Sequence, residues 1–261
     1  MSKIIDWVLI LGGSSGFGLA TAKYFAVKGY NIIIVHRDKR SEIEKINKEF
    51  ETIKENNVKL ICVNTNAVTQ EGRIKTIETI KKEFSENDKI KLLLHSIADG
   101  NTQQINAKSI EELENSFLYS INSMGTSFVL WARALVDYGL FSDNAKIIGL
   151  TSEGSYRYIS GYSQVGAAKS VLENICRSLA VEYARYNITT NIINPGITDT
   201  KALRALPKCD YLIKTAKSKN PFKRLTIPED VAKVIWLLAQ DEANWINGEI
   251  IRVDGGEQIV Y

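Results

Sequence analysis

Cysteine, histidine, proline and long apolar runs are all scarce in this chain of 261 residues. Its three cysteines, Cys62, Cys176 and Cys209, are an odd number, widely spaced and without a CxxC pair. That argues against a disulfide framework or a metal knuckle and suits a reducing compartment, so a cytoplasmic location is expected. The two histidines have no ligand spacing, and no metal site is expected. The apolar stretch near the N-terminus is interrupted by Asp6 and closed by Gly12 and Gly13, too short for a membrane span and without a cleavage-site pattern. It reads as a first β-strand. Lys and Arg number 33 against 30 acidic residues, and a net charge of +3 is too small to indicate a nucleic-acid or membrane-surface protein. No internal repeat, low-complexity tract or linker rich in Gly, Pro or Ser divides the chain, so residues 1–261 are expected to form one domain.

What is present is ordinary globular composition, 44% hydrophobic and 24% charged, arranged as short β-branched runs that alternate with segments of helical spacing. Strands are predicted at 7–11, 31–35, 59–63, 91–95, 146–151, 189–193 and 249–253. These runs are almost continuously apolar, as burial on both faces requires. The alternation predicts an α/β fold, a Rossmann-like doubly wound parallel sheet of about seven strands with helices on both faces. A helix over 19–28 is closed by Gly29, and Pro228 opens another with Glu229 and Asp230 in its first turn.

Strand one runs into Gly12-Gly13-Ser14-Ser15-Gly16-Phe17-Gly18 and then straight into a helical pattern. In such a turn the backbone can approach phosphate oxygens, and the helix N-terminus favours a pyrophosphate. The Gly-x3-Gly-x-Gly spacing differs from the commoner dinucleotide fingerprint. At the end of the second strand, His36 stands 24 residues beyond Gly12, where an acid would bond a ribose 2′-hydroxyl, and Arg37 follows it. A permanently charged, planar guanidinium is a natural partner for a 2′-phosphate, so NADPH is expected over NADH. Arg37 is the main discriminator, Lys39 or Arg40 assists, and Asp38 is placed to neutralise Arg37 in part.

Tyr162 and Lys169 stand seven residues apart at the mouth of the helical segment after strand five. Seven residues are nearly two helical turns, which would put both side chains on one face, with the lysine placed to stabilise a phenolate. With the glycine turn, this pair resembles the short-chain dehydrogenase/reductase family over essentially the whole chain. The resemblance implies that Gly12, Ser14, Ser15, Gly16, Phe17 and Gly18 hold the cofactor phosphates. It implies adenine contacts at Asn66 and Ala67, and further cofactor contacts at Ser96 and Ile97, in a His95-Ser96-Ile97-Ala98 segment that replaces the usual Asn-Asn-Ala-Gly. Asn122 matches the family's structural and proton-relay asparagine, and Ser152 the catalytic serine. Pro195-Gly196-Ile197 with Thr200 matches the nicotinamide carboxamide site, and Val253-Asp254-Gly255-Gly256 the C-terminal signature.

The departures matter as much. Most members place tyrosine four residues before lysine, a position held here by Val165. The longer spacing is similar to that of the divergent enoyl-acyl-carrier-protein reductases, as is the 95–98 segment. An enoyl thioester takes hydride at the β-carbon, two bonds beyond the carbonyl carbon. A group that stabilises the enolate oxygen must therefore stand farther from the nicotinamide than a ketone reductase's proton donor. The resemblance gives Tyr162 the thioester carbonyl, Lys169 the nicotinamide ribose, and Ser152 and Asn122 lesser parts.

Tyr156 and Tyr158, in the loop before Tyr162, are candidates to line the acyl site with Tyr162, Leu203 and Leu206. Eight basic residues at 201–224 face only Asp210, a local charge of +7 that leaves −4 for the remainder. Such a segment is expected to form a substrate lid that attracts an anionic carrier, either acyl carrier protein or coenzyme A. The readings that follow are an NADPH-dependent enoyl-thioester reductase of fatty-acid or polyketide synthesis, a 3-oxoacyl or other carbonyl reductase, and a non-catalytic nicotinamide-binding sensor. A homotetramer is implied by the resemblance alone. Cys62 and Cys176 read as core thiols, and His95 as a strand cap beside the cofactor.

Overall fold

Residues 7–11 are all buried, yet their side chains serve two different cores, because successive side chains of a strand point to opposite faces. Trp7, Leu9 and Leu11 join Phe128, Trp131 and Leu172 on one face. Val8 and Ile10 join Phe25, Phe50 and Ile235 on the other. A continuous apolar run is therefore what a strand covered by helices on both sides requires.

The structure, a computed structural model, describes residues 5–206 and 209–260. Seven strands form one parallel sheet: β1 Ile5–Leu11, β2 Asn31–His36, β3 Leu60–Asn64, β4 Asp88–His95, β5 Phe141–Leu150, β6 Thr189–Pro195 and β7 Ile250–Val253. Their order is β3-β2-β1-β4-β5-β6-β7, with every neighbouring pair parallel. All seven predicted strands are present, with ends moved by a few residues. The helices are α1 Gly16–Val27, α2 Arg40–Lys54, α3 Gln70–Glu83, α4 Ile110–Ile121, α5 Ser127–Asp137, α6 Ser163–Glu182, α7 Lys201–Arg204, α8 Cys209–Lys219 and α9 Pro228–Leu238. Gly29 ends α1 at φ +84°, a left-handed conformation that its missing Cβ permits. Asp230 accepts the Ile227 amide at the start of α9.

One irregularity was not legible in the sequence. Asn122–Thr126 forms a widened π turn between α4 and α5, and it brings the Ser123 hydroxyl to the Asp99 carbonyl. Strand order reverses about β1, whose neighbours β2 and β4 carry the chain away in opposite directions. In a sheet of this kind a ligand binds outside the carboxyl ends of the strands at that reversal. Among the described residues no helix is long and apolar enough to cross a membrane.

Candidate active site

The turn after β1 is built for close approach. Gly12, at φ +84°, lies so near the loop after β4 that an added Cβ would stand 2.5 Å from the Ser96 carbonyl oxygen. A Cβ on Gly18 would stand 2.2 Å from the Gly12 carbonyl oxygen, and Gly16 is also left-handed at φ +55°. Ser15 caps α1 without a side-chain bond, and the first turn carries no acid, so its amides face no competing carboxylate there. Thr200, whose hydroxyl accepts the Leu203 amide at 3.2 Å to start α7, comes within 3.8 Å of the Cβ position of Gly16. The glycine cradle thus fits the pyrophosphate of a dinucleotide, with Ser14, Ser15, Gly16, Phe17 and Gly18 along it.

Beyond β2 the charges pair differently from the sequence expectation. Asp38 turns back to His36 Nδ1 at 2.8 Å, and the His36 ring packs edge-on against Phe50. Arg37 pairs instead with Asp99, from the loop after β4, at 2.8 Å. Tyr119 of α4 donates to the same carboxylate oxygen at 2.6 Å. Bonding to Tyr119 and Asp99 raises the Arg37 pKa further. Lys39 caps α2 and Arg40 is its first residue. Asn66 accepts the Val68 amide and Ala67 accepts Trp131 Nε1, so both shape the entry to α3 and neither lines the central cavity.

Tyr162 precedes α6 as its N-cap residue, whereas Lys169 lies in the helix body. They are not two turns of one helix, yet both line one cavity of about 470 Å³. Val165, at the position where most relatives of the resembled family carry tyrosine, lines it too. The Tyr162 hydroxyl lies 3.2 Å from Ser152 Oγ. Burial raises the phenol pKa, with the Ser152 bond opposing it. Lys169 is fully enclosed, donating to Leu150 O at 2.8 Å and Ile97 O at 3.3 Å. Burial lowers its pKa to about 8. Neither hydrogen bond of Lys169 goes to Tyr162, and the direction of the Tyr162 shift favours the neutral phenol.

Asn122 follows α4 as its C-cap residue, makes no side-chain hydrogen bond among the described residues and is not part of the cavity lining. His95 is buried, with Nε2 at 2.7 Å from Ser127 Oγ. Ser127 itself donates to Ser123 O at 2.6 Å, so Nε2 carries the proton and Nδ1 is left without a partner. Desolvation, aided by the Lys169 charge, lowers the His95 pKa to about 3.

Phe17, Ser96, Ile97, Gly196, Ile197 and Thr200 line the cavity, and Leu203 of α7, Leu206 just after it and Leu212 of α8 add apolar surface. Of the two loop tyrosines expected there, Tyr158 lines it and Tyr156 does not, its hydroxyl donating to Gln258. The segment at 201–224 is also less basic than its composition suggested. Lys201 pairs with Glu42, Arg204 with Asp199 and Asp210, and Arg224 with Asp230. Lys208 lies outside the described residues. Lys214, Lys217, Lys219 and Lys223 are left without an ion pair among the described residues, and Lys219 reaches the cavity.

Asp99, Glu257 and Gln258 were missed by sequence reasoning. Glu257 lines the cavity almost fully buried; its Oε1 accepts the Ile197 amide at 3.4 Å, and burial raises its pKa. Its position next to the C-terminal Asp254-Gly255-Gly256 signature was the available signal.

A family model described as Enoyl-(Acyl carrier protein) reductase matches residues 12–258. The 3-oxoacyl-[acyl-carrier-protein] reductase FabG of Thermotoga maritima is 29% identical over 95% of this chain and 96% of its own length. Among solved structures, enoyl-[acyl-carrier-protein] reductase (NADH) from Aquifex aeolicus superposes with a TM-score of 0.84 at 22% identity, over 99% of this chain and 98% of that one. L-sorbose reductase from Gluconobacter frateurii, complexed with NADPH and L-sorbose, gives 0.82 at 24% identity, over 100% and 99%. With the parallel seven-stranded sheet, the glycine cradle at its reversal point and the family match over nearly its whole length, the chain belongs to the short-chain dehydrogenase/reductase family of oxidoreductases, which bind NAD(P)(H).

Proposed function

We propose that this oxidoreductase is an NADPH-dependent enoyl-thioester reductase acting on a trans-2-enoyl group carried by acyl carrier protein or coenzyme A. The observation that carries the reading is the position of Tyr162. It stands off the helix, ahead of α6, while Val165 leaves apolar surface at the position nearer Lys169. The phenol then shares a cavity with Leu203, Leu206 and Leu212, apolar surface suited to an acyl chain.

The glycine cradle and the residues at 196, 197 and 200 are the groups that would hold the cofactor, with Arg37 toward a 2′-phosphate. When bound, the reduced nicotinamide supplies hydride. Tyr162 donates a hydrogen bond to the thioester carbonyl oxygen, where negative charge develops, and burial favours the protonated phenol that this role requires. Lys169 is anchored by the Leu150 carbonyl at the end of β5 and the Ile97 carbonyl in the loop after β4, and it would hold the nicotinamide ribose. The α7–α8 segment acts as a substrate lid, and its unpaired lysines attract the phosphorylated carrier. The FabG relative and the enoyl reductase structure both act, by their names, on carrier-bound acyl groups.

Carbonyl reduction is the second reading, favoured by one contact. Ser152 lies within hydrogen-bond distance of Tyr162, as a serine polarising a substrate ketone together with that phenol would. The deciding experiment follows NADPH and NADH oxidation by absorbance with crotonyl and acetoacetyl thioesters. Turnover of crotonyl alone supports the proposal, and turnover of acetoacetyl alone replaces it with the second reading. Cofactor binding without turnover of a broad thioester and carbonyl panel would leave only a sensor.

A further inference from the structure

β2 and β4 flank β1, so the Arg37–Asp99 pair bridges the carboxyl end of β1, the strand that runs into the glycine cradle. The acid that the end of β2 lacks is supplied by the loop after β4, 62 residues along the chain. That loop is held in place. The Asp99 carbonyl accepts the Ser123 hydroxyl from the π turn, and the Asp99 carboxylate accepts the Tyr119 hydroxyl at 2.6 Å. Arg37 is the more exposed partner, with half its side chain exposed against one third for Asp99.

We propose that Asp99 tempers cofactor selectivity, by competing with a ribose 2′-phosphate for Arg37. This rests on the NADPH reading of Arg37 given above. A 2′-phosphate that takes the guanidinium must displace a carboxylate already bonded to it, or share the cation with that carboxylate at the cost of like-charge repulsion. An exposed ion pair is a weak competitor, so the phosphate wins the exchange but with reduced advantage. The pairing tempers a preference that Arg37 alone would make strong, and Tyr119 supports it by fixing the carboxylate. A cofactor without the 2′-phosphate leaves the Arg37–Asp99 pair intact.

The test is calorimetric binding to the protein without turnover, using adenosine 2′,5′-bisphosphate against AMP and NADPH against NADH. Asp99→Asn should tighten binding of both 2′-phosphorylated ligands by about fivefold, the factor expected when an exposed ion-pair competitor is removed. The ratio of bisphosphate to AMP affinity should rise by the same factor, a change that mere loosening of the loop would not produce. Tyr119→Phe should move the ratio the same way by a smaller factor, and it serves as the second probe should Asp99→Asn fold poorly. In an Arg37→Ala background Asp99→Asn should leave the ratio unchanged. Weaker binding of all four ligands by Asp99→Asn, or an unchanged ratio, would overturn the competition while leaving the Arg37 reading standing. An Arg37→Ala protein that keeps the full 2′-phosphate preference would instead overturn the reading on which it rests.

Discussion

Gly154 lies against the ring of Tyr162 so closely that an added Cβ would stand 2.4 Å from Cδ1 and 2.5 Å from Cε1. One turn into α6, a Cβ on Gly166 would stand 2.4 Å from the Gly154 carbonyl oxygen. Loop, ring and helix are thus stacked with no room for a methyl group. Gly154→Ala must rotate the ring or lift the loop, at about 1–3 kcal/mol of overpacking. Because the phenol hydroxyl has to meet the substrate oxygen at hydrogen-bond distance, turnover should fall by about 10²-fold, as for other small misplacements of a reacting group. Cofactor affinity, read separately by fluorescence titration, should hold. Unchanged kcat would mean that the ring position does not govern the rate.

Tyr162→Phe removes the only proton that the phenol offers, so kcat should drop by about 10²–10³, the usual loss for one donor to a developing oxyanion. Ser152→Ala separates the two chemistries. An enoyl reductase that relies on the phenol alone should keep crotonyl turnover in this variant within about threefold, since the 3.2 Å contact contributes little to a neutral donor. Loss of turnover on the order of that seen for Tyr162→Phe would make the serine a second donor and favour the carbonyl reading.

The sheet was readable because each strand had to be apolar on both faces, and continuous β-branched runs such as 31–35 have few other uses in a globular chain. The glycine cradle was readable for a related reason: positions 12 and 18 face backbone oxygens too closely for any side chain. What stayed hidden depends on long-range pairing. Nothing local to Arg37 identifies Asp99 as its partner, and Asp38, its neighbour in sequence, turned to His36 instead. The same holds for the basic segment at 201–224, where Glu42, Asp199 and Asp230 lie outside the window in which charge was counted. Tyr156 and Tyr158 are two residues apart in an irregular loop, where no periodicity decides which one faces the cavity.

Stability should respond to pH through Lys169. Its folded-state pKa is about 8, below the ordinary 10.5. The unfolded chain therefore binds more protons between these values, and the contribution to stability is complete above 10.5 and lost as pH falls through about 8. Lys146, also lowered to about 8 by burial, acts in the same direction, so a difference measurement is needed. The unfolding free energy of the wild type minus that of Lys169→Met, from urea titrations of cofactor-free protein, should change little below pH 8 and increase from pH 8 to pH 10. A flat difference would show that Lys169 keeps its ordinary pKa in the folded protein.

Leu206 tests the direction in which an acyl group runs. It follows α7 and lines the same cavity as Leu203 and Tyr162. If the carbonyl oxygen is held at Tyr162, a four-carbon group ends before this residue, whereas a longer one packs its distal methylenes against it. Each methylene so buried contributes about 0.8 kcal/mol, so excluding two of them raises KM by roughly an order of magnitude. Leu206→Trp fills that end of the cavity. It should raise KM for a dodecenoyl thioester by about tenfold while leaving crotonyl kinetics within about twofold, since the reacting end is untouched. Equal effects on both substrates would place the acyl chain along a different wall, with α7 and α8 serving only to cover the cavity.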